Sequence, residues 1–215
     1  MLGKLDIAVV FTLAFIMVGV LSTSTYILAS STSNFQQTIN PGTLTTDIVD
    51  ASYVTVASPS VVMASTTFSF SCSSTTGTFG SATEQIFVSN ADAADNGWTL
   101  SLAASAPTDV WTSATSLDFN NPAGSGCTGG QMAVDPSVGA LAGAPAYATT
   151  AITKGSASSF SQGVTDSITM LTAAAGALDI GKWVLTGVSI VQTIPGEQPA
   201  ASDYDINMVL SVVAS

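Results

Sequence analysis

The chain contains no histidine and no arginine, and its only basic side chains are Lys4, Lys154 and Lys182. Without histidine there is no side chain that ordinarily titrates near neutrality, no Ser-His-Asp triad and no His-ligated zinc. Without clustered Lys and Arg the chain has no means of neutralising a phosphate backbone, so nucleic acid is not an expected partner. Fourteen acids against three lysines leave a formal charge of -11. Charged residues are nevertheless scarce, at 8%, while hydrophobic residues make up 47%. That balance suits a packed domain and not a solvated acidic tail. Serine, threonine, alanine and glycine occupy the places that charges usually take.

Nucleophile motifs are missing as well. "GVSIV" and "GSASS" lack the second glycine of a Gly-x-Ser-x-Gly elbow. The residues three before Lys154 and Lys182 are Ala151 and Asp179, so there is no Ser-x-x-Lys pair. Asp166-Ser167 is followed by Ile168, which breaks the Asp-Thr/Ser-Gly pattern of aspartic proteases. Two carboxylates for glycoside hydrolysis can always be drawn from scattered acids, but an aromatic content of 7% is modest for a sugar cleft. The expectation is a protein that is not an enzyme.

Cysteine occurs only at Cys72 and Cys127, far apart and outside any CxxC arrangement. In an exported chain this spacing reads as a structural disulfide, whose loop closure stabilises by about 4 kcal/mol in the chain-entropy picture. Export is signalled by "IAVVFTLAFIMVGVL", residues 7–21, an uncharged run preceded by Lys4. Residues 1–29 read either as a signal peptide or as a retained membrane or filament-core helix. A helix over residues 7–29 would be about 34 Å long at 1.5 Å per residue, enough to span a bilayer. Either way the remainder lies outside the cytoplasm, at the cell surface, with membrane contact confined to this segment.

Residues 30–43 are rich in serine and threonine and read as a linker or extended arm; residues 44–215 read as a β-domain. "TFSFSC" alternates Phe68 and Phe70 with serine, and "EQIFVSN" and "WTLSLAA" continue the period of two. The region from Ala106 to Ala151 is looser, with Gly, Ser and Pro throughout, and Cys127 pins it to a strand ending at Cys72. Further on, "GVTDSITMLTA" is a strand, and "KWVLTGVSIVQTIPGEQP" is one long strand or two sharing a bend at Gly187. In "SDYDINMVLSVVAS", Tyr204, Ile206, Met208, Leu210 and Val212 alternate with Asp203, Asp205, Asn207 and Ser211. No segment after Ala29 keeps a helical period over three turns. The fold class is therefore all-β, a sandwich of eight to ten strands of jelly-roll or immunoglobulin-like type.

The densest stretch is "ADAADNGWTLSLAAS", residues 91–105. Set against a twelve-residue calcium loop starting at Asp92, Asn96 and Gly97 fall on the fifth and sixth positions. Ala94 and Ala103 then occupy the third and twelfth, where ligands are required. Asp95-Asn96-Gly97 reads more simply as a reversal between strands. Should a cation bind, the oxygen donors are Asp92, Asp95, Asp118, Asn120 and Asp135, and calcium is the cofactor they suit. Trp98 and Trp183 stand in phase with Leu100 and Leu185 and belong to the core. Trp111 lies in the looser region and is the tryptophan able to stack on a glycan.

Gly97-Trp98-Thr99-Leu100 resembles the Trp-x-Leu signature of the WxL-domain surface proteins of Gram-positive bacteria. Trp183-Val184-Leu185 supplies a second triplet of the kind that family carries. The ending "IPGEQPAASDYDINMVLSV" is similar to the closing hairpin of WxL and camelysin-type fibre subunits. The resemblance implies a secreted, non-enzymatic β-sandwich attached to the cell envelope, in some cases binding wall polysaccharide. The expected function is a structural subunit of an extracellular fibre or coat. Its partners are copies of itself in a homopolymer, reached by an arm such as "SNFQQTINPGTLTTDIVD" pairing with a neighbour's sheet edge. Two alternatives stand beside it: a pilin-like subunit with a retained N-terminal helix, and a calcium-dependent module binding glycan or envelope polysaccharide.

Overall fold

A computed structural model describes residues 35–215, except 93, 95, 124, 125 and 176–178. The expected leader or helix of residues 1–29 lies outside the described residues. Beyond the arm, fourteen strands follow one another among the described residues, and nine of them are five residues or longer. They are β1 (Leu44–Val49), β2 (Ser73–Phe79), β3 (Gln85–Asn90), β4 (Trp98–Ala104), β5 (Trp111–Thr112), β6 (Ser116–Leu117) and β7 (Gln131–Asp135). After a 3-10 turn at Pro136–Val138 come β8 (Ala140–Gly143), β9 (Ile152–Lys154), β10 (Ser158–Ser159) and β11 (Ser167–Ala173). The last are β12 (Gly181–Thr186), β13 (Val188–Ile194) and β14 (Met208–Ala214). No α-helix occurs among the described residues, so the body is all-β as its periodicity predicts.

The strands form three four-stranded antiparallel sheets and a two-stranded ribbon. The first sheet runs β1-β3-β12-β8, the second β10-β7-β13-β2 and the third β14-β4-β11-β9; β5 pairs with β6. The sheets pack in a sandwich-like arrangement around one hydrophobic cluster. Period two decides which side chains enter it. In β4, Trp98, Leu100 and Leu102 are buried between half-exposed Thr99 and Ser101; in β3, Ile86 and Val88 are fully buried. A register shift between Thr169 and Leu171 in β11 lets the consecutive residues Met170 and Leu171 both face inward. Asp135 ends β7 by capping the 3-10 turn, its carboxylate accepting the Ser137 N–H at 3.0 Å.

Gly187 is where one expected long strand becomes two. Its φ is +73°, which favours glycine, and the chain there leaves the first sheet (β12) to enter the second (β13). A bend within one sheet would have left Trp183 and Ile190 in a single layer. The change of sheet places them on two walls of the same core.

Four expectations need correction. Residues 67–72 are not a strand: Phe68 is 49% and Phe70 80% exposed, and the two rings pack edge-on against each other at 5.2 Å. The strand starts after Cys72, at Ser73, so the disulfide precedes β2 instead of closing the strand before it. The region around residues 106–151 is more regular than its Gly and Pro content implies, since it carries β5 to β8. The arm is also shorter than the quoted segment: its last part, Leu44–Val49, is β1, paired residue for residue with β3 of the same chain.

Between β1 and β2, residues 57–70 form a strap outside any strand. Val61 and Met63 point in against the core while Val62 is exposed. The Ala64 N–H donates to the Thr76 carbonyl in the middle of β2 at 2.7 Å.

Candidate functional site

The two tryptophan triplets, far apart in the chain, meet in the core. Trp98 and Trp183 are fully buried, with ring centroids 5.5 Å apart, and Tyr147 packs on Trp183 at 6.1 Å. The Trp183 indole N–H donates to the Ala148 carbonyl at 2.9 Å. The Trp98 indole N–H donates to the carbonyl of Asp179 at 3.2 Å. Asp179 is itself fully buried, and its Oδ2 accepts the Gly97 N–H at 3.1 Å. Asn90, also buried, donates its Nδ2 to the Asp179 carbonyl at 2.9 Å. Gly97 has φ +78°, and a Cβ there would stand 2.5 Å from the Ala173 carbonyl oxygen. The reversal before Trp98 is thus fixed from inside by a carboxylate.

The sheet edges are less uniform. β8, β9 and β10 are edges of two to four residues, and the Lys154 ammonium at the end of β9 caps the carbonyls of Ser137 and Gly139. The outer edge of β1 is folded over by its own turn, where the Val56 N–H reaches the Ile48 carbonyl at 2.9 Å and Asp47 accepts Thr55 Oγ1 at 2.5 Å. β2 is covered by the strap. β14 is different. It has seven residues with no charge and no proline, pairs with β4, and has no second main-chain partner among the described residues, although β1 of the same chain lies near it and shares a cavity wall with it. Its Val209 and Val213 are exposed. An edge of that kind is a template for another strand.

Below the strap the sandwich is open. Two cavities of about 530 and 510 Å³ flank Val61 and Met63 and share Trp111 and Tyr204 in their walls. Trp111 is half-buried and leans on the core. Its indole N–H is held by Gln192 Oε1 at 3.0 Å, and Gln192 in turn donates to the Asp118 and Thr193 carbonyls at 2.9 and 2.8 Å. Tyr204 Oη donates to the Pro199 carbonyl at 2.8 Å and pairs with Thr115 and Gln198. These polar groups satisfy one another, so what the groove offers an incoming group is mainly apolar surface: Val61, Met63, Ile194 and the Trp111 face.

The fold scatters the remaining predicted site residues. Cys72 and Cys127 form a disulfide with Cα atoms 5.7 Å apart. Asp92 accepts the Ala94 N–H at 3.0 Å, Asp118 accepts the Asn120 N–H at 3.4 Å, and Asp135 caps the 3-10 turn. Asn120 is buried and donates to the Pro107 carbonyl at 2.7 Å. Asp95 lies outside the described residues. Each of the three described carboxylates shapes its own turn. Among the described residues no group of three or more His, Cys, Asp or Glu side chains is gathered to hold a metal ion. Asp179 and Asn90 are the polar residues that sequence reasoning missed. The available signal was a lone acid between Leu178 and Ile180, four residues before Trp183.

Compared with known proteins, the chain matches no family model, no curated protein and no solved structure.

Proposed function

We propose that the protein is a non-enzymatic structural subunit of an extracellular fibre or coat, assembling with copies of itself through strand contacts. The observation that carries this reading is β14, a seven-residue uncharged edge strand with no outer partner among the described residues. Natural sheets usually blunt such edges with charge, proline, shortness or a covering loop, and the other edges of this protein use those devices. Leaving one edge unpaired, with only the cavity it shares with β1 beside it, suits a surface meant to be paired.

The complementary strand is the arm of a neighbour. From Phe35 to Thr46 the sequence has no charge, which removes like-charge repulsion between chains of net charge -11. Phe35 is 92% and Ile39 85% exposed, and their spacing of four puts both on one face of an extended strand. Main-chain pairing supplies affinity and these two side chains supply register. The arm stays tethered to its own body at Gly42, whose N–H donates to the Ala91 carbonyl at 2.7 Å beside β1 and β3. Export by the hydrophobic N-terminal run and a charged fraction of only 8% agree with an envelope setting.

Limited chymotrypsin digestion tests the proposal, because Phe35 is a cleavage site within the arm. In assembled material the Phe35 bond is expected to be protected relative to the monomer. Equal digestion in the two states would sink the proposal.

A further inference from the structure

We propose that the strap, residues 57–70, trades places between two copies, each strap seating on the other's β2. This rests on the reading of the protein as a self-assembling subunit but uses a different edge from β14. The seat is visible in the fold. Gly77 lies in the middle of β2, and a Cβ there would collide with Met63 Sδ and stand 3.4 Å from Val61 Cγ1. Glycine inside a strand marks such a close approach. Val61 and Met63, two residues apart, fill the seat together, and the Ala64 N–H sets the register on Thr76.

The strap is weakly held where it lies. Among the described residues it makes one main-chain hydrogen bond to β2, where a regular antiparallel neighbour would make about one per residue. Its ends are tied at Ser60, whose N–H donates to Glu84 Oε2 at 3.3 Å, and at Ser69, whose carbonyl accepts the Glu197 N–H at 2.8 Å. The core contacts that go with it when it leaves are those of Val61 and Met63, which stand beside the two cavities.

A second copy is the occupant for three reasons. Residues 57–79, covering the strap and β2, contain no charged side chain in a protein with fourteen acids, so the strap and β2 bring no like charge to the contact, and the acids beside them, Glu84 and Glu197, stand at the two ends of the strap. Val62, Phe68 and Phe70 are exposed and would be covered by a facing copy. The sequence that fits the seat is the strap's own, and a second copy carries it. When two copies bring their β2 edges together about a two-fold axis, the straps lie side by side between them. Exchange then moves each strap by one strand spacing, about 4.8 Å, well within the reach of its flanking residues at about 3.3 Å each. The same contacts are remade between chains, as in domain swapping, and the result is a closed symmetric pair.

The full chain carrying Ala64→Cys is mixed at high concentration with the full chain carrying Thr76→Cys, then oxidised with copper-phenanthroline. Both positions are exposed and the native cysteines are already paired, so the added thiols are the reactive ones. The expected product is a disulfide-linked heterodimer of one chain of each kind, lost when Gly77→Val is added to the Thr76→Cys chain to block the seat. An Ala64→Cys homodimer in its place would mean straps that touch without exchanging, and would overturn the proposal. So would a mixture that stays monomeric under denaturing, non-reducing electrophoresis. Sedimentation of the unmodified chain is read in parallel. Polymer without the heterodimer retires the exchange and leaves the β14 reading standing, whereas a heterodimer with an unprotected arm does the reverse.

Discussion

The two ends of the hydrophobic cluster are built in opposite ways. Around Trp98 and Trp183 both indole N–H groups are held, a buried aspartate fixes the incoming turn, and large rings fill the space between the first and third sheets. Around Val61, Met63 and Trp111 two cavities remain, and the covering segment is a strap and not a strand. What packing does at the closed end, a crosslink does at the open one: the Cys72–Cys127 disulfide ties the start of β2 to the loop before β7. Stability is concentrated at one end, and the freedom to rearrange at the other. Elements that move during assembly have to be drawn from the weakly held part of a structure.

Trp183→Ala attacks the closed end directly and should have the largest effect. It removes a fully buried ring, the contacts to Trp98 and Tyr147, and the donor to the Ala148 carbonyl. A loss of about 5 kcal/mol in unfolding free energy is expected, at the upper end for large-to-small core changes. Urea denaturation followed by the fluorescence of the remaining tryptophans measures it. A loss under about 2 kcal/mol would mean that the two ends are alike, since a change that small belongs to a loosely packed site.

Cys72→Ser acts at the open end, and through the unfolded chain. Releasing a loop with a sequence separation of 55 is expected to remove about 4 kcal/mol in the chain-entropy picture. The local consequence separates it from the tryptophan change. Hydrogen exchange should accelerate first at the Ala64 amide and in β2, with β4 and β12 protected until global unfolding. Uniform acceleration across all three sheets would erase the contrast between the ends.

Asp179→Ala should have a smaller effect, roughly 2 kcal/mol, because it strands the buried Gly97 N–H and part of the Asn90 amide without opening a large cavity. This residue also marks the limit of what was readable in the sequence. Period two made β3, β4 and β14 recognisable, because each has one wet and one dry face and the alternation survives along its length. A single buried acid has no period. Its partners Asn90 and Gly97 are more than 80 residues away in the chain, so only the fold brings them to it. Phe68 and Phe70 failed for the opposite reason. They have the right period, but a strand is defined by a non-local partner, and the one nearby edge, β2, is met by Val61 and Met63 instead. The short strands from β5 to β8 were hidden because Pro136 and the surrounding glycines serve the turns between them. Of the candidate site, the Ser/Thr-rich arm and the closing strand were readable as such. Which edge remained bare was not, because that depends on how every other edge is covered.

The smallest expected effect on stability carries the greatest weight for function. Val209 and Val213 lie on the exposed face of β14, with no part in the core cluster. Replacing both by lysine should change the unfolding free energy by less than about 0.5 kcal/mol, as for surface substitutions away from packed features. Lysine is also the residue that natural edge strands use to refuse a partner, because a neighbour pairing there must desolvate the two ammonium groups on that face. The double variant should therefore fold with the stability of the parent, keep the Trp98–Trp183 end protected in hydrogen exchange, and fail to form polymers in sedimentation and negative-stain microscopy. Should it polymerise like the parent, β14 is not the pairing edge, and assembly has to be sought at the other end of the molecule, on the face built by the strap and β2.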